Sequence, residues 1–145
     1  MKKLITTLLI SAACALPSLS FAQTTNLKAQ LNPVISVDAS GKAILDRTRG
    51  SANDRFTAEV EIAKADFDVL DITPGNGFND EVVELRVLRD GVQIFRTLLR
   101  FSENRPGDIT FETDIRGTAA PELRAGDIGC VSVNGQFTLR GKFRL

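Results

Sequence analysis

The residues best suited to chemistry lie in one irregular segment between positions 66 and 81. Its carboxylate and amide side chains are Asp66, Asp68, Asp71, Asn76, Asn79, Asp80 and Glu81. Calcium is bound by about six to eight oxygens from carboxylates, amides and backbone carbonyls, and the turn from Pro74 to Gly77 offers carbonyls. The sequence therefore gives Asp66, Asp68, Asp71 and Asp80 as metal candidates, and a calcium-dependent binding module as one hypothesis.

The spacing of these aspartates does not match a known calcium loop. The run Asp66-x-Asp68-x-x-Asp71 lacks the third ligand position of an EF-hand and its glycine at position six. The alternative interpretation is a solvated loop whose Asp and Asn side chains form turns, with no cofactor.

A second set of candidates consists of arginines on one face of a predicted hairpin. Arg86, Arg96 and Arg100 alternate with apolar residues, and arginines in a row can bind carboxylate or phosphate groups bidentately. The alternative is that they pair with Glu84 across the strands and keep an exposed face soluble. Ile94, Leu88 and Leu98 share this face, so the surface is amphipathic and suited to docking another protein.

The composition disfavours catalysis. The chain contains no His, Trp or Tyr, which removes the usual general base, the commonest zinc ligand and the best sugar-stacking side chains. Paired carboxylates alone support glycoside hydrolysis only beside aromatic platforms, and Phe is the one aromatic type present. We therefore expect a protein that is not an enzyme.

The hairpin from Glu81 to Phe101 is the clearest structural element. Apolar and polar residues alternate on both sides of Asp90-Gly91, which predicts two antiparallel strands. A two-residue loop would set each apolar residue against a charge. A three-residue loop, Arg89 to Gly91, would pair Leu88 with Val92, Leu85 with Phe95, Val83 with Thr97 and Glu84 with Arg96, so we predict that bulged turn.

Together with this hairpin, the other segments predict about eight short strands and no helix after residue 22. Residues 23–37 form a strand that Pro33 interrupts, which places it at a sheet edge. Phe67, Val69, Leu70 and Ile72 are expected to cap one end of the core. Because hairpin-linked strands in this number must bury their apolar faces on each other, we predict an antiparallel β-sandwich, loosely immunoglobulin-like, with a β-barrel as the alternative.

The first 22 residues have the pattern of a secretory signal peptide. Lys2 and Lys3 precede an apolar run and a small-x-small site at Ser20-Phe21-Ala22, and the run is too short to span a bilayer. Residues 23–145 then form one domain, periplasmic or secreted, with a net charge of −2 that predicts no nucleic-acid partner. Lipidation at Cys14 is the alternative route, and Cys130 would be a small buried hydrophobe in a domain without a disulfide.

Three segments resemble a loose group of small exported bacterial β-sandwich proteins. They are DASGKA (Asp38 to Ala43), RFTAEVEI (Arg55 to Ile62) and Ala125-Gly126-Asp127 before the terminal hairpin. The resemblance implies export and a β-sandwich, and it transfers no site residue. The leading functional hypothesis is an exported binding or structural protein of the cell envelope or secretome, with a possible protein partner on an exposed sheet face or strand edge.

Overall fold

Eight antiparallel strands close into a barrel in the computed structural model, which describes residues 24–48 and 52–145. The predicted signal peptide and the alternative lipidation at Cys14 lie outside the described residues. The order around the barrel is β1-β2-β3-β6-β5-β4-β7-β8. The strands are β1 (Thr24–Pro33), β2 (Ala39–Thr48), β3 (Arg55–Ala63), β4 (Val83–Arg89), β5 (Val92–Asn104), β6 (Asp108–Arg116), β7 (Ile128–Val133) and β8 (Gln136–Lys142).

The predicted β-sandwich is wrong, because two strands are shared between the layers and join them into a barrel. The first part of β5 pairs with β4 and its last part, from Arg100, pairs with β6. On the other side, β1 pairs with β2 along most of its length and with β8 at Asn32 and Pro33. Alternation of apolar residues shows which side of each strand is buried, but it does not show which strand edges meet.

Pro33 also lies differently from its predicted place at a sheet edge. It is the last residue of β1 and is paired with Leu139 of β8, where the barrel closes. Residues 34–37, which were expected to continue the strand, form a bend. A proline fits this position because the strand ends there and no further ladder bond is needed from its missing N–H.

The register of the central hairpin differs from the predicted one by two residues. Asp90 and Gly91 both have positive φ angles, 51° and 80°, so they form a two-residue turn that pairs Arg89 with Val92. A bulge in β5 then shifts the pairing, and Leu85 faces Thr97 instead of Phe95. Because a shift of two residues preserves the side of each residue, the predicted inward and outward faces are correct although the predicted pairs are wrong.

The barrel interior is filled by side chains. Phe56, Leu45, Leu85 and Phe111 are fully buried. At one end, the residues between β3 and β4 cover the core with the buried side chains of Phe67, Leu70, Ile72 and Phe78. The prediction is confirmed for the first three, whereas Val69, which was also expected to cap the core, is 50% exposed. A chain of ring contacts, Phe67–Phe78–Phe101–Phe111, connects this cover to the interior with centroid distances of 5.6, 5.1 and 6.1 Å.

No helix within residues 24–48 and 52–145 has the length and apolar character needed to cross a bilayer. The helical content of that part of the chain consists of two 3₁₀ turns, Lys64–Asp66 and Gly117–Ala119. Both lie directly after strands that run along the barrel wall, β3 and β6.

Candidate binding face

The outer surface of β5, β4, β7 and β8 brings the arginine candidates into one arrangement. Arg86 of β4 pairs with Arg96 of β5 on one side and with Cys130 of β7 on the other, and Cys130 pairs with Arg140 of β8. The neighbouring row is Leu98, Glu84, Ser132 and Phe137. We call this surface the basic face and define it by these eight residues together with Leu88, Ile94, Arg100, Ile128 and Lys142.

Glu84 is the centre of the basic face. It points outward from the barrel, yet it is only 4% exposed because the side chains of Arg86 and Arg96 cover it. The Nε of Arg86 donates a hydrogen bond to Oε1, and the Nε of Arg96 donates one to Oε2. The predicted Glu84–Arg96 ion pair is therefore present, although it is diagonal, and Leu98 is the residue directly opposite Glu84.

This geometry leaves the outer edges of two guanidinium groups available. Each arginine uses its Nε for Glu84, and both side chains remain more than half exposed, at 51% for Arg86 and 59% for Arg96. Within the described part of the chain, their terminal nitrogens make no further hydrogen bond or ion pair. Because one carboxylate balances two cations, the cluster carries a net charge of +1 at fixed positions, which suits an anionic group.

Three further cations of the basic face have no carboxylate partner among residues 24–48 and 52–145. Arg100, Arg140 and Lys142 take part in none of the ion pairs of that region. Glu84 is the single acid among the residues that define this face, and Glu112 of β6 lies directly across from Arg100 without an ion pair to it. The basic face therefore carries more positive than negative charge.

The opposite outer surface, formed by β2, β3 and β6, is balanced by ion pairs. Lys42 lies 3.2 Å from Glu59, and Arg55 and Arg116 both pair with Asp114 at 2.8 and 2.9 Å. The two guanidinium groups hold the pKa of Asp114 well below its usual range by hydrogen bonding and by charge. Positive charge is thus concentrated on one side of the barrel.

Exposed apolar side chains lie among the cations of the basic face. Leu98 is 54% exposed, Phe137 46% and Ile94 39%. A groove of about 530 Å³ runs beside Arg86, Leu88, Cys130 and Phe137. Such a combination of arginine, an aromatic ring and aliphatic side chains is typical of the residues that dominate protein–protein interfaces.

Cys130 lies at the edge of this groove and is half-buried, not buried as predicted. Burial raises the pKa of its thiol, and the charge of Arg140 opposes that rise. The thiol is therefore protonated at neutral pH. It behaves as a small apolar group that a thiol reagent can modify.

The carboxylates of the acidic segment are engaged separately in the described residues. The carboxylate of Asp66 accepts a hydrogen bond from the backbone N–H of Asp38, and that of Asp80 accepts one from Asn76, both at 2.6 Å. Asp68 is exposed, and Asp71 contributes its carbonyl to Asn134. No group of three or more Cys, Asp or Glu in residues 24–48 and 52–145 is placed to hold a metal ion, and the calcium hypothesis stays a prediction.

Asn134 is a residue whose importance the sequence did not indicate. It lies in the β7–β8 turn, and its Nδ2 donates to the carbonyls of Leu70 and Asp71 at 3.1 and 2.9 Å and to Glu81 Oε2 at 2.5 Å. Its Oδ1 accepts from the backbone N–H of Val82 at 2.9 Å. One amide side chain thus ties the segment between β3 and β4 to the barrel.

Replacing Asn134 with aspartate is expected to lower the free energy of unfolding by about 3 kcal/mol, because a carboxylate would face two carbonyls and Glu81 where an N–H group donated. Aspartate tolerates the left-handed backbone at this position, φ 49°, so strain does not explain the loss. Urea unfolding measures this loss in the free energy of unfolding. The control is Asn76→Asp, which also sets two carboxylates together but in solvent; equal losses in both variants would contradict the role of Asn134.

Acidification is expected to remove the stability that Glu84 contributes. Burial opposes ionisation of Glu84, but the hydrogen bonds and charges of Arg86 and Arg96 outweigh it and hold its pKa below the ordinary 4.5. A lowered pKa gives stability that is complete above the ordinary value and is lost as pH falls through the folded value. The free energy of unfolding should therefore decline below about pH 4.5, and less steeply in Glu84→Gln. An identical decline in this variant would refute the assignment.

The sequence indicated three arginines of the basic face and missed the residues of β7 and β8 that complete it. Arg140 and Phe137 belong to an alternating terminal segment, but their approach to Arg86 depends on the pairing of β4 with β7, which are far apart in the chain. No protein-family model matches this chain, and no curated protein is significantly similar to it in sequence. The resemblance to small exported proteins therefore stays an expectation.

Proposed function

We propose that this chain is an exported, non-enzymatic binding protein whose basic face holds an acidic partner protein. The observation that carries the proposal is the arrangement of Arg86 and Arg96 on buried Glu84, beside Arg100 and Arg140, which have no carboxylate partner in the described residues. Export rests on the signal-peptide pattern of residues 1–22.

The geometry supports a protein partner more than nucleic acid. Leu98 and Phe137 lie in the row next to the arginines, so a partner would bury apolar surface as well as charge. Without the predicted signal peptide, residues 23–145 have a formal net charge of −2, which gives no overall attraction to nucleic acid. Because the arginines are held in place before binding, little side-chain entropy is lost on association.

The test uses poly-L-glutamate as a probe of acidic surface recognition. We expect Arg100→Gln/Arg140→Gln to weaken binding about fivefold, since two exposed ion pairs together contribute about 1 kcal/mol. The matched control is Lys28→Gln/Lys64→Gln, which removes the same charge from cations that also lack ion pairs in the described residues but lie off the basic face. Isothermal titration at low and high salt gives both affinities.

Three outcomes are informative. Selective weakening in the arginine variant, with affinity that falls as salt increases, supports the basic face as the binding surface. Equal weakening in both variants would mean that net charge alone drives binding, and it would overturn the proposal. Absence of binding by the unmodified protein at low salt would overturn it as well.

A further inference from the structure

The first half of β5 has an edge to which no described strand is paired. Residues Val92 to Leu99 pair with β4, whereas pairing with β6 begins only at Arg100, which faces Glu112. Beyond Glu112, the last residues of β6 pair with β3 alone. Although the barrel is closed, the start of β5 and the end of β6 are not paired with each other, and we call this gap the opening. In the part of the chain that the structure describes, the backbone groups on that edge of β5 have no ladder partner.

The core is less well covered at this opening than elsewhere. Phe95 and Thr97 of β5, and Thr113 and Ile115 of β6, point inward but are only half-buried. On β7, by contrast, the inward residues Val131 and Val133 are fully buried. A cleft of about 420 Å³ marks the point where β5 and β6 separate, with Leu98, Arg100, Phe101, Glu112, Thr113 and Asp114 among its lining residues. A segment that covered the opening would bury apolar surface, and this burial would stabilise its complex with the barrel.

We propose that the free edge of β5, from Val92 to Leu98, binds an extended acidic segment of the partner protein as an additional strand. Main-chain hydrogen bonds to an exposed edge give affinity, and alternate side chains give specificity. This inference rests on the proposed function and adds the mode of binding and the chemistry of the segment.

The charges beside the edge define the segment. The outward positions of β5 along this edge include Arg96 and Leu98, and Arg100 follows at the point where β6 begins to pair and already faces Glu112. Outward side chains of an added strand would therefore lie opposite Arg96, whose outer nitrogens are available, and diagonal to Arg100. Carboxylates at those positions would form cross-strand pairs, and apolar side chains on the other face would contact Phe95 and the opening. The expected segment alternates acidic and apolar residues.

A second copy of this chain fits the edge poorly. In an antiparallel pairing of β5 with β5 of another molecule, Arg96 would lie opposite Ile94 when the pair is centred on Phe95 and opposite Arg100 when it is centred on Leu98. Neither register sets a carboxylate against Arg96. Like charges directly opposite on neighbouring strands are destabilising. The charge pattern thus selects a partner of different sequence with carboxylates at these positions.

The experiment uses a blocked peptide of alternating valine and glutamate, with two analogues. One analogue is methylated at alternate backbone nitrogens and cannot pair as a strand on that edge, and the other has glutamine in place of glutamate. We expect the parent peptide to slow hydrogen exchange of the amides from Val92 to Leu98, and methylation to weaken binding at least about tenfold. Arg100→Gln should weaken the glutamate peptide and leave affinity for the glutamine peptide unchanged.

The outcomes separate this inference from the proposed function. If the parent and methylated peptides bind equally and exchange at β5 is unchanged, strand addition is wrong while the basic face still binds an acidic partner. If poly-L-glutamate and the parent peptide both fail to bind, both proposals fall. Protection of amides on β3 or β6 in place of β5 would also overturn the inference, because it would locate the strand on another edge.

Discussion

Replacing Arg89 with alanine is expected to lower the free energy of unfolding by about 3–5 kcal/mol, because it leaves the buried carboxylate of Asp127 without its cation. The Nε and one terminal nitrogen of Arg89 donate to the two oxygens of Asp127 at 2.9 and 2.8 Å, and the same terminal nitrogen donates to the carbonyl of Glu122 at 3.0 Å. The side chain of Asp127 is only 3% exposed. Urea unfolding at pH 7 measures the loss.

The matched control for this prediction is Arg55→Ala. Arg55 also forms two hydrogen bonds to one carboxylate, that of Asp114, at 3.1 and 2.8 Å, but both side chains are more than a third exposed. An exposed ion pair contributes little to stability, so the loss should be small. Similar losses for the two variants would show that burial of Asp127 does not decide the stability of the pair.

Replacing Gly141 with alanine is expected to lower the free energy of unfolding by about 3 kcal/mol, because the barrel closes at this residue. A β-carbon at Gly141 would overlap the backbone carbonyl of Gln30 and lie 3.1 Å from the side chain of Leu31, so β1 and β8 would have to separate. The backbone of Gln30 cannot rotate away as a side chain would. Thermal and urea unfolding both measure the change.

Gly107→Ala is the control for the closure of the barrel. A β-carbon there would have no heavy atom within 4 Å, and the φ angle of Gly107 is not in the left-handed region. The change should stay within about 0.5 kcal/mol. A wild-type-like Gly141→Ala variant would contradict the close approach of β1 to β8, and with it the closed barrel.

The strands could be predicted from the sequence because each has one buried side. Alternation in β3 and β4 correctly identified Phe56, Val60, Leu85 and Val87 as inward residues. The closure could not be predicted, because it depends on the length of β5 and on where its pairing changes from β4 to β6, and neither leaves a local signal. The hairpin register was missed for a related reason, since the bulge in β5 that follows the turn has no local signal in the sequence.

The sequence likewise predicted one part of the candidate site and missed the other. The outward positions of Arg86 and Arg96 and their interaction with Glu84 follow from local alternation, so the sequence indicated them. The neighbours Cys130 and Arg140 depend on a long-range pairing that brings β7 beside β4. The composition of the acidic segment did not predict how its carboxylates are used. Asp66 accepts a hydrogen bond from a backbone N–H, and Asp80 accepts one from a side-chain amide.

The most direct test of the basic face measures the reactivity of Cys130 in a chain in which Cys14 is replaced by serine, so that one thiol remains. Cys130 lies between Arg86 and Arg140 on that face, and an occupant would cover it. We expect saturating poly-L-glutamate to slow its reaction with a disulfide reagent several-fold relative to the free protein at the same pH and salt. An unchanged rate while the probe is bound would place the binding surface elsewhere and contradict the account.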